Sequence, residues 1–122
     1  MNVLILGANG YLGPHVVKAL APRHQLRITD IRPLPAEAKA KLSGHELMDV
    51  DVTSLEQVMR AAKGMDAIVS LAVVRTHPVM AFRVNMLGCY HVMLAAVEHK
   101  IRRVINTGPH FTVAGPSYEG FD

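Results

Sequence analysis

Short apolar runs alternating with helical stripes, a glycine-rich turn after the first run and an aspartate closing the second together predict a parallel α/β sheet wound on both faces. Val3-Leu4-Ile5-Leu6 is apolar at every position and runs into Gly7, as a strand covered on both sides would. Residues 11–20 then carry Leu12, Val16, Ala19 and Leu20 at helical spacing. Gln25-Leu26-Arg27-Ile28-Thr29-Asp30 reads as a second strand, and Pro33 and Pro35 stop regular structure after it.

A polar Ala/Lys-rich stretch leads to His45-Glu46-Leu47-Met48, a third strand. Thr53 or Ser54 can cap the next helix, Glu56 and Gln57 stand where a capping box needs them, and Lys63-Gly64 ends it. Ala67-Ile68-Val69-Ser70-Leu71-Ala72 gives the fourth strand. Residues 79–99 form the longest helix, with Val79, Phe82, Met86, Cys89, Met93 and Ala96 as its expected buried face. Arg103-Val104-Ile105-Asn106-Thr107 gives the fifth strand, and Gly/Pro-rich loop follows. Right-handed crossovers between such strands predict a Rossmann-type doubly wound sheet of about five strands, in the order 3-2-1-4-5.

The 122 residues hold one domain with a real core, residues 1–122, and no second one. Half are hydrophobic and 19% charged, which excludes a disordered chain. A net charge of +3 is mild, and Arg102-Arg103 is only a pair, so no nucleic-acid partner is expected. One cysteine, Cys89, cannot close an internal disulfide and fits a reducing cytoplasm. The start lacks the basic segment of a signal peptide, and the apolar stretch at 67–74 falls short of the roughly 20 residues a bilayer requires. The expectation is a cytoplasmic protein without a membrane partner.

Gly7-Ala8-Asn9-Gly10-Tyr11-Leu12-Gly13 carries the chemistry. A G-x-x-G-x-x-G turn between the first strand and first helix allows a tight turn at Gly7, backbone approach to a pyrophosphate at Gly10, and helix–strand packing at Gly13. Helix N-terminal amides then face the phosphates. Asp30 ends the second strand, where a carboxylate accepts ribose hydroxyls and repels a 2′-phosphate. NAD is therefore the expected cofactor. Arg32 keeps NADP as the lesser alternative.

With these residues in place, the chain resembles the extended short-chain dehydrogenase/reductase group, the NAD-dependent epimerase/dehydratase family. The likeness also rests on Asp30-Ile31-Arg32, Asp51-Val52-Thr53, Ser70-Leu71-Ala72-Val73 and Asn85-Met86-Leu87-Gly88, in the family's order. It implies a cofactor site of Gly7, Asn9, Gly10, Tyr11, Leu12, Gly13, Asp30, Ile31, Arg32, Asp51, Val52, Leu71, Ala72, Val73, Arg75, Asn85 and Thr107. Asp51 and Val52 would flank the adenine, Leu71, Ala72 and Val73 would line the centre of the cofactor, and Asn85 would brace the loops around it.

The chain departs from the family at its catalytic positions. The hydroxyl expected after the fifth strand falls on Pro109 or His110, leaving Thr107 and His110 as candidates. No Tyr-x-x-x-Lys pair occurs, since Tyr11, Tyr90 and Tyr118 lack a lysine four residues on. The resemblance places that pair, the sixth strand and the substrate part beyond Asp122. The seven histidines are scattered without metal spacing, so no metal is expected. The resemblance implies the NAD(P)-binding portion of an oxidoreductase or isomerase acting on a nucleotide sugar or a similar hydroxylated substrate, in a possible homodimer. A non-catalytic dinucleotide sensor is the alternative. It would lose ground if the reading frame continued into Tyr-x-x-x-Lys. The chain alone is expected to be inactive, and turnover of any sugar nucleotide by the purified chain would contradict that.

Overall fold

Four successive apolar residues suit β1 (Asn2–Leu6) only to a place covered on both faces, and it lies at the middle of the sheet. The computed structural model describes residues 1–107. After β1 come α1 (Gly13–Leu20), β2 (Gln25–Asp30), α2 (Ala36–Lys41), β3 (Glu46–Asp49) and α3 (Leu55–Ala62). β4 (Ala67–Ser70) then leads to a continuous helix, Pro78–Glu98, and β5 (Arg103–Asn106) follows. All pairings are parallel and the order is β3-β2-β1-β4-β5, as the sequence predicts.

Alternation along β1 divides the core. Val3 and Ile5 pack with Val17 of α1, Leu26, Ile28 and Val69 on one face. Leu4 and Leu6 pack with Val58 and Ala61 of α3, Ile68, Val92 and Ala95 on the other. Ser54 caps α3 by accepting from the Gln57 amide (3.4 Å), and the Gln57 side chain reaches back to accept from the Asp51 amide (2.9 Å). Gly64, at φ 78°, follows its end. α2 buries none of its residues and rests on the helix propensity of its Ala/Lys composition, which carries no apolar stripe to announce it.

The long helix corrects the sequence reading. It comprises α4 (Pro78–Ala81), a π-helical segment (Phe82–Gly88) with i→i+5 bonding, and α5 (Cys89–Glu98). Of the expected buried face, Val79, Phe82, Met86 and Met93 are exposed, Cys89 is half-buried, and only Ala96 is buried. Ala81, Asn85, Gly88, Val92 and Ala95 face inward with it. Both stripes recur at helical spacing. The small-residue one lets the helix backbone approach the sheet and α3, whereas the larger side chains would hold it away. α1 shows the same choice: Gly13 and Val17 are buried, Val16 and Leu20 flank them, and Leu12 and Ala19 are exposed.

Among the described residues, this helix alone is long and apolar enough to cross a bilayer, with 21 residues and a mean hydropathy of 1.3. It packs against β4 and α3.

Two substitutions of the same chemistry separate its faces. Val92→Ala, at a fully buried position, should cost about 2 kcal/mol in urea unfolding, and Val97→Ala, at a 77% exposed one, less than about 0.5. Equal costs would put the helix in the wrong rotation.

Candidate functional site

Strand order reverses between β1 and β4, so the loops that leave their C-terminal ends part to opposite faces and open a crevice. The β1 loop is shaped by two close approaches. Gly7 has φ 80°, and a Cβ there would stand 2.6 Å from the Ala72 amide nitrogen. A Cβ on Gly13 would run into the Ala8 carbonyl, where the chain turns into α1. Only glycine permits either. Around Gly10 the nearest atom to such a Cβ is the Gly7 carbonyl oxygen at 3.2 Å, a milder crowding that a shift of a few tenths of an ångström would relieve. Leu12 stands at the N-cap of α1 without a side-chain capping bond, and Pro14 is the second residue of the helix. First-turn amides of such a helix are orphan donors suited to an anion.

Asp30 closes β2 beside this loop. Its carboxylate is nearly buried, accepting from the Asn9 amide (2.9 Å) and the Arg32 amide (3.0 Å). The Arg32 guanidinium lies 3.6 Å from Oδ1 and donates to the Asn9 carbonyl (3.2 Å). A carboxylate offers about four lone-pair sites, and two backbone N–H groups fill about half of them. The remainder suit a pair of neighbouring hydroxyls, the pattern of a ribose. The residues present fit a dinucleotide: a close-approach loop, an uncapped helix start and an acceptor-rich carboxylate one strand away.

Ala72 joins this part of the crevice to a second. It packs against Gly7 and also lines a cleft at the ends of β4 and β5, with Val52, Ser70, Val73, Asn85 and Thr107. Asn85 accepts from the Val74 amide (2.9 Å) and donates to the Val74 carbonyl (2.7 Å), clamping the loop after β4 by both backbone groups. It does so from the π-helical segment, a local irregularity that recurs at functional sites. Thr107 donates its amide and its hydroxyl to the Ser70 carbonyl, at 3.0 and 3.2 Å, which ties the ends of β4 and β5 together.

The other expected residues are placed as follows. Tyr11, Leu12 and Ile31 are exposed near the loops, and so is Arg75. The Asp51 carboxylate accepts from the Thr53 amide and hydroxyl, both at 2.8 Å, so it holds the turn into α3. His110 lies outside the described residues. Sequence reasoning missed Ser70 and Asn106 as cleft-lining groups, and placed Cys89 in the core. Cys89 lines the cleft as well and accepts from the Asn106 amide group (3.1 Å). Strand ends at a point where strand order reverses are the signal that could have found them.

Residues 4–120 match the sequence model of the 3-beta hydroxysteroid dehydrogenase/isomerase family. The uronate dehydrogenase of Agrobacterium tumefaciens is similar in structure, with a TM-score of 0.73 and 30% identity over 84% of this chain and 38% of that one. A variant of that enzyme complexed with NAD gives a TM-score of 0.75 at 29% identity, over 84% of this chain and 38% of that one. The UDP-glucose 4-epimerase of Thermus thermophilus, also complexed with NAD, gives 0.73 at 25% identity, over 85% of this chain and 36% of that one. The chain thus spans well under half the length of these proteins. No curated protein matches its sequence.

The Asn85 clamp makes a specific prediction. Asn85→Ala should cost about 2 kcal/mol and speed hydrogen exchange at the Val74 amide, because both bonds to Val74 are lost. Unchanged exchange at Val74 would show that the loop is held by something else.

Proposed function

The chain belongs to the 3-beta hydroxysteroid dehydrogenase/isomerase family, and we propose that it is the NAD-binding part of an epimerase/dehydratase-like oxidoreductase or isomerase. The observation that carries this reading is the Asp30 carboxylate, one strand from the uncapped start of α1, with acceptor capacity left after holding the Asn9 and Arg32 amides. The glycine turn and α1 would take the pyrophosphate, and Asp30 the adenosine ribose. Arg32 already lies against Asp30 and the Asn9 carbonyl, so it neutralises the acid rather than standing ready for a 2′-phosphate. That arrangement favours NAD over NADP.

Asp51, Val52, Leu71, Ala72, Val73 and Arg75 would complete the walls, with Asn85 and Thr107 fixing the loops that carry them. When bound, the cofactor exchanges a hydride with a substrate carbinol. The substrate proposed is a small hydroxylated molecule, with a nucleotide sugar as the specific class. No Tyr-x-x-x-Lys occurs in the sequence, so the tyrosine that moves the substrate proton would come from outside these 122 residues. Cys89, the one thiol, fits a reducing cytoplasm. Recovery of the protein from a secreted fraction would contradict that location.

A homodimer is proposed on the face the long helix leaves uncovered. Val79, Phe82, Met86, Tyr90, Met93 and Val97 are all exposed, three or four residues apart. Phe82→Asp should shift the mass in sedimentation from dimer to monomer. A protein that sediments as a monomer before substitution rules the dimer out.

Gly10→Ala tests the cofactor site with the smallest side chain. Its Cβ would stand 3.2 Å from the Gly7 carbonyl oxygen, which must give by a few tenths of an ångström, and it would stand where the pyrophosphate must approach. NAD+ affinity by calorimetry should fall at least about tenfold, a cost of about 1.4 kcal/mol, in a chain that still unfolds cooperatively in urea. Undiminished affinity would mean that the cofactor does not use this loop.

A further inference from the structure

Val52 sits between β3 and α3, 7% exposed, and lines the cleft that continues from Ala72. Two residues of the long helix fix it from the far side. His91 is buried, and its Nδ1 lies 2.9 Å from the Val52 carbonyl oxygen. A carbonyl only accepts, so Nδ1 carries the proton and donates. Gly88 stands one turn earlier. A Cβ there would come within 2.8 Å of Val52 Cγ2 and 3.2 Å of its Cβ.

The helix thus presses against the Val52 side chain at one point and holds its backbone at another. On its other side the same segment is tied to α3 and its cap: the Asp51 amide donates to the Gln57 side chain (2.9 Å), and the Ser54 amide donates to the Asp51 carbonyl (3.0 Å). Asn85, three residues before Gly88, clamps Val74 across the crevice. One helix therefore sets both walls from positions 85, 88 and 91, spaced by three.

We propose that His91 and Gly88 are positioning residues for the adenine end of the cofactor site, setting the 51–52 wall through the Val52 carbonyl and side chain. This rests on the NAD-binding reading above. The bland account of His91 is a core histidine that has merely found an acceptor. It predicts that loss of the ring destabilises the chain without altering which base the site prefers.

The two accounts differ in a measurable ratio. Binding of NAD+ and of its hypoxanthine analogue is measured by calorimetry on the whole 122-residue chain, with urea unfolding run alongside. The unaltered chain should prefer the adenine form. His91→Leu should weaken NAD+ binding about tenfold and bring the two dinucleotides within about twofold of each other. His91→Asn, which keeps a side-chain N–H donor, should restore the preference. Gly88→Ala, which pushes on Val52 from the other contact, should lose it again. If His91→Leu fails to fold, the Asn and Gly88→Ala variants carry the comparison. Equal weakening of both dinucleotides, or a preference unchanged in folded Leu and Gly88→Ala variants, overturns the inference while leaving the cofactor reading intact. An unaltered chain that binds neither dinucleotide overturns the cofactor reading and this inference with it.

Discussion

Every part of the crevice depends on how closely the backbone leaving β1 can pass β4 before it re-enters α1. Gly7 passes the Ala72 amide at a distance no side chain tolerates, and Gly13 turns against the Ala8 carbonyl with no room for a Cβ. These approaches bring the start of α1 over the sheet's C-terminal edge. They also set Ala72 as the shared boundary between the glycine loop and the cleft at the ends of β4 and β5. Widening either contact would move α1 away from Asp30, and the anion-favouring helix start would no longer stand beside the acceptor carboxylate.

Burying Asp30 without partners would be costly, and the structure meets that cost with local backbone donors. The Asn9 amide comes from the loop after β1 and the Arg32 amide from the turn after β2. The carboxylate therefore organises two loops before any ligand arrives, and such preorganisation lowers the ordering entropy that binding must otherwise overcome. Arg32 is largely exposed, so its pairing with Asp30 is screened and contributes little to stability. Under the proposed NAD reading, it occupies the place beside the acid where a second phosphate would otherwise have to be accommodated.

Strand identity and order were legible because buried parallel strands are apolar at nearly every position and end in recognisable turns. Gly7 was legible as the tight turn that leaves β1, and Asp30 as the acceptor that a ribose site would place at the end of β2. The rotation of the long helix was not. Two stripes of equal spacing run along it, and hydrophobic size favours Phe82 and Met86, whereas the close contact with sheet and α3 selects Ala81, Gly88 and Ala95. The π-helical segment breaks the 3.6-residue period and has no sequence signature of its own. The family resemblance pointed to Asn85 as a brace for the loops, but not to Val74 as its partner, and the bond of His91 to Val52 was hidden altogether. These bonds join separate elements, 11 and 39 residues apart, and nothing local in the chain announces which residues meet.

The central claim is that Asp30 and the glycine loop hold NAD, and the chain is convenient for asking it directly because it contains no tryptophan. NADH and NADPH fluorescence can each be titrated against the folded protein and against Asp30→Ala. The account predicts saturable NADH binding at least about tenfold tighter than NADPH, with the preference lost when the carboxylate is removed. A cooperatively folded chain with no saturable binding, or a preference that survives in Asp30→Ala, would contradict it.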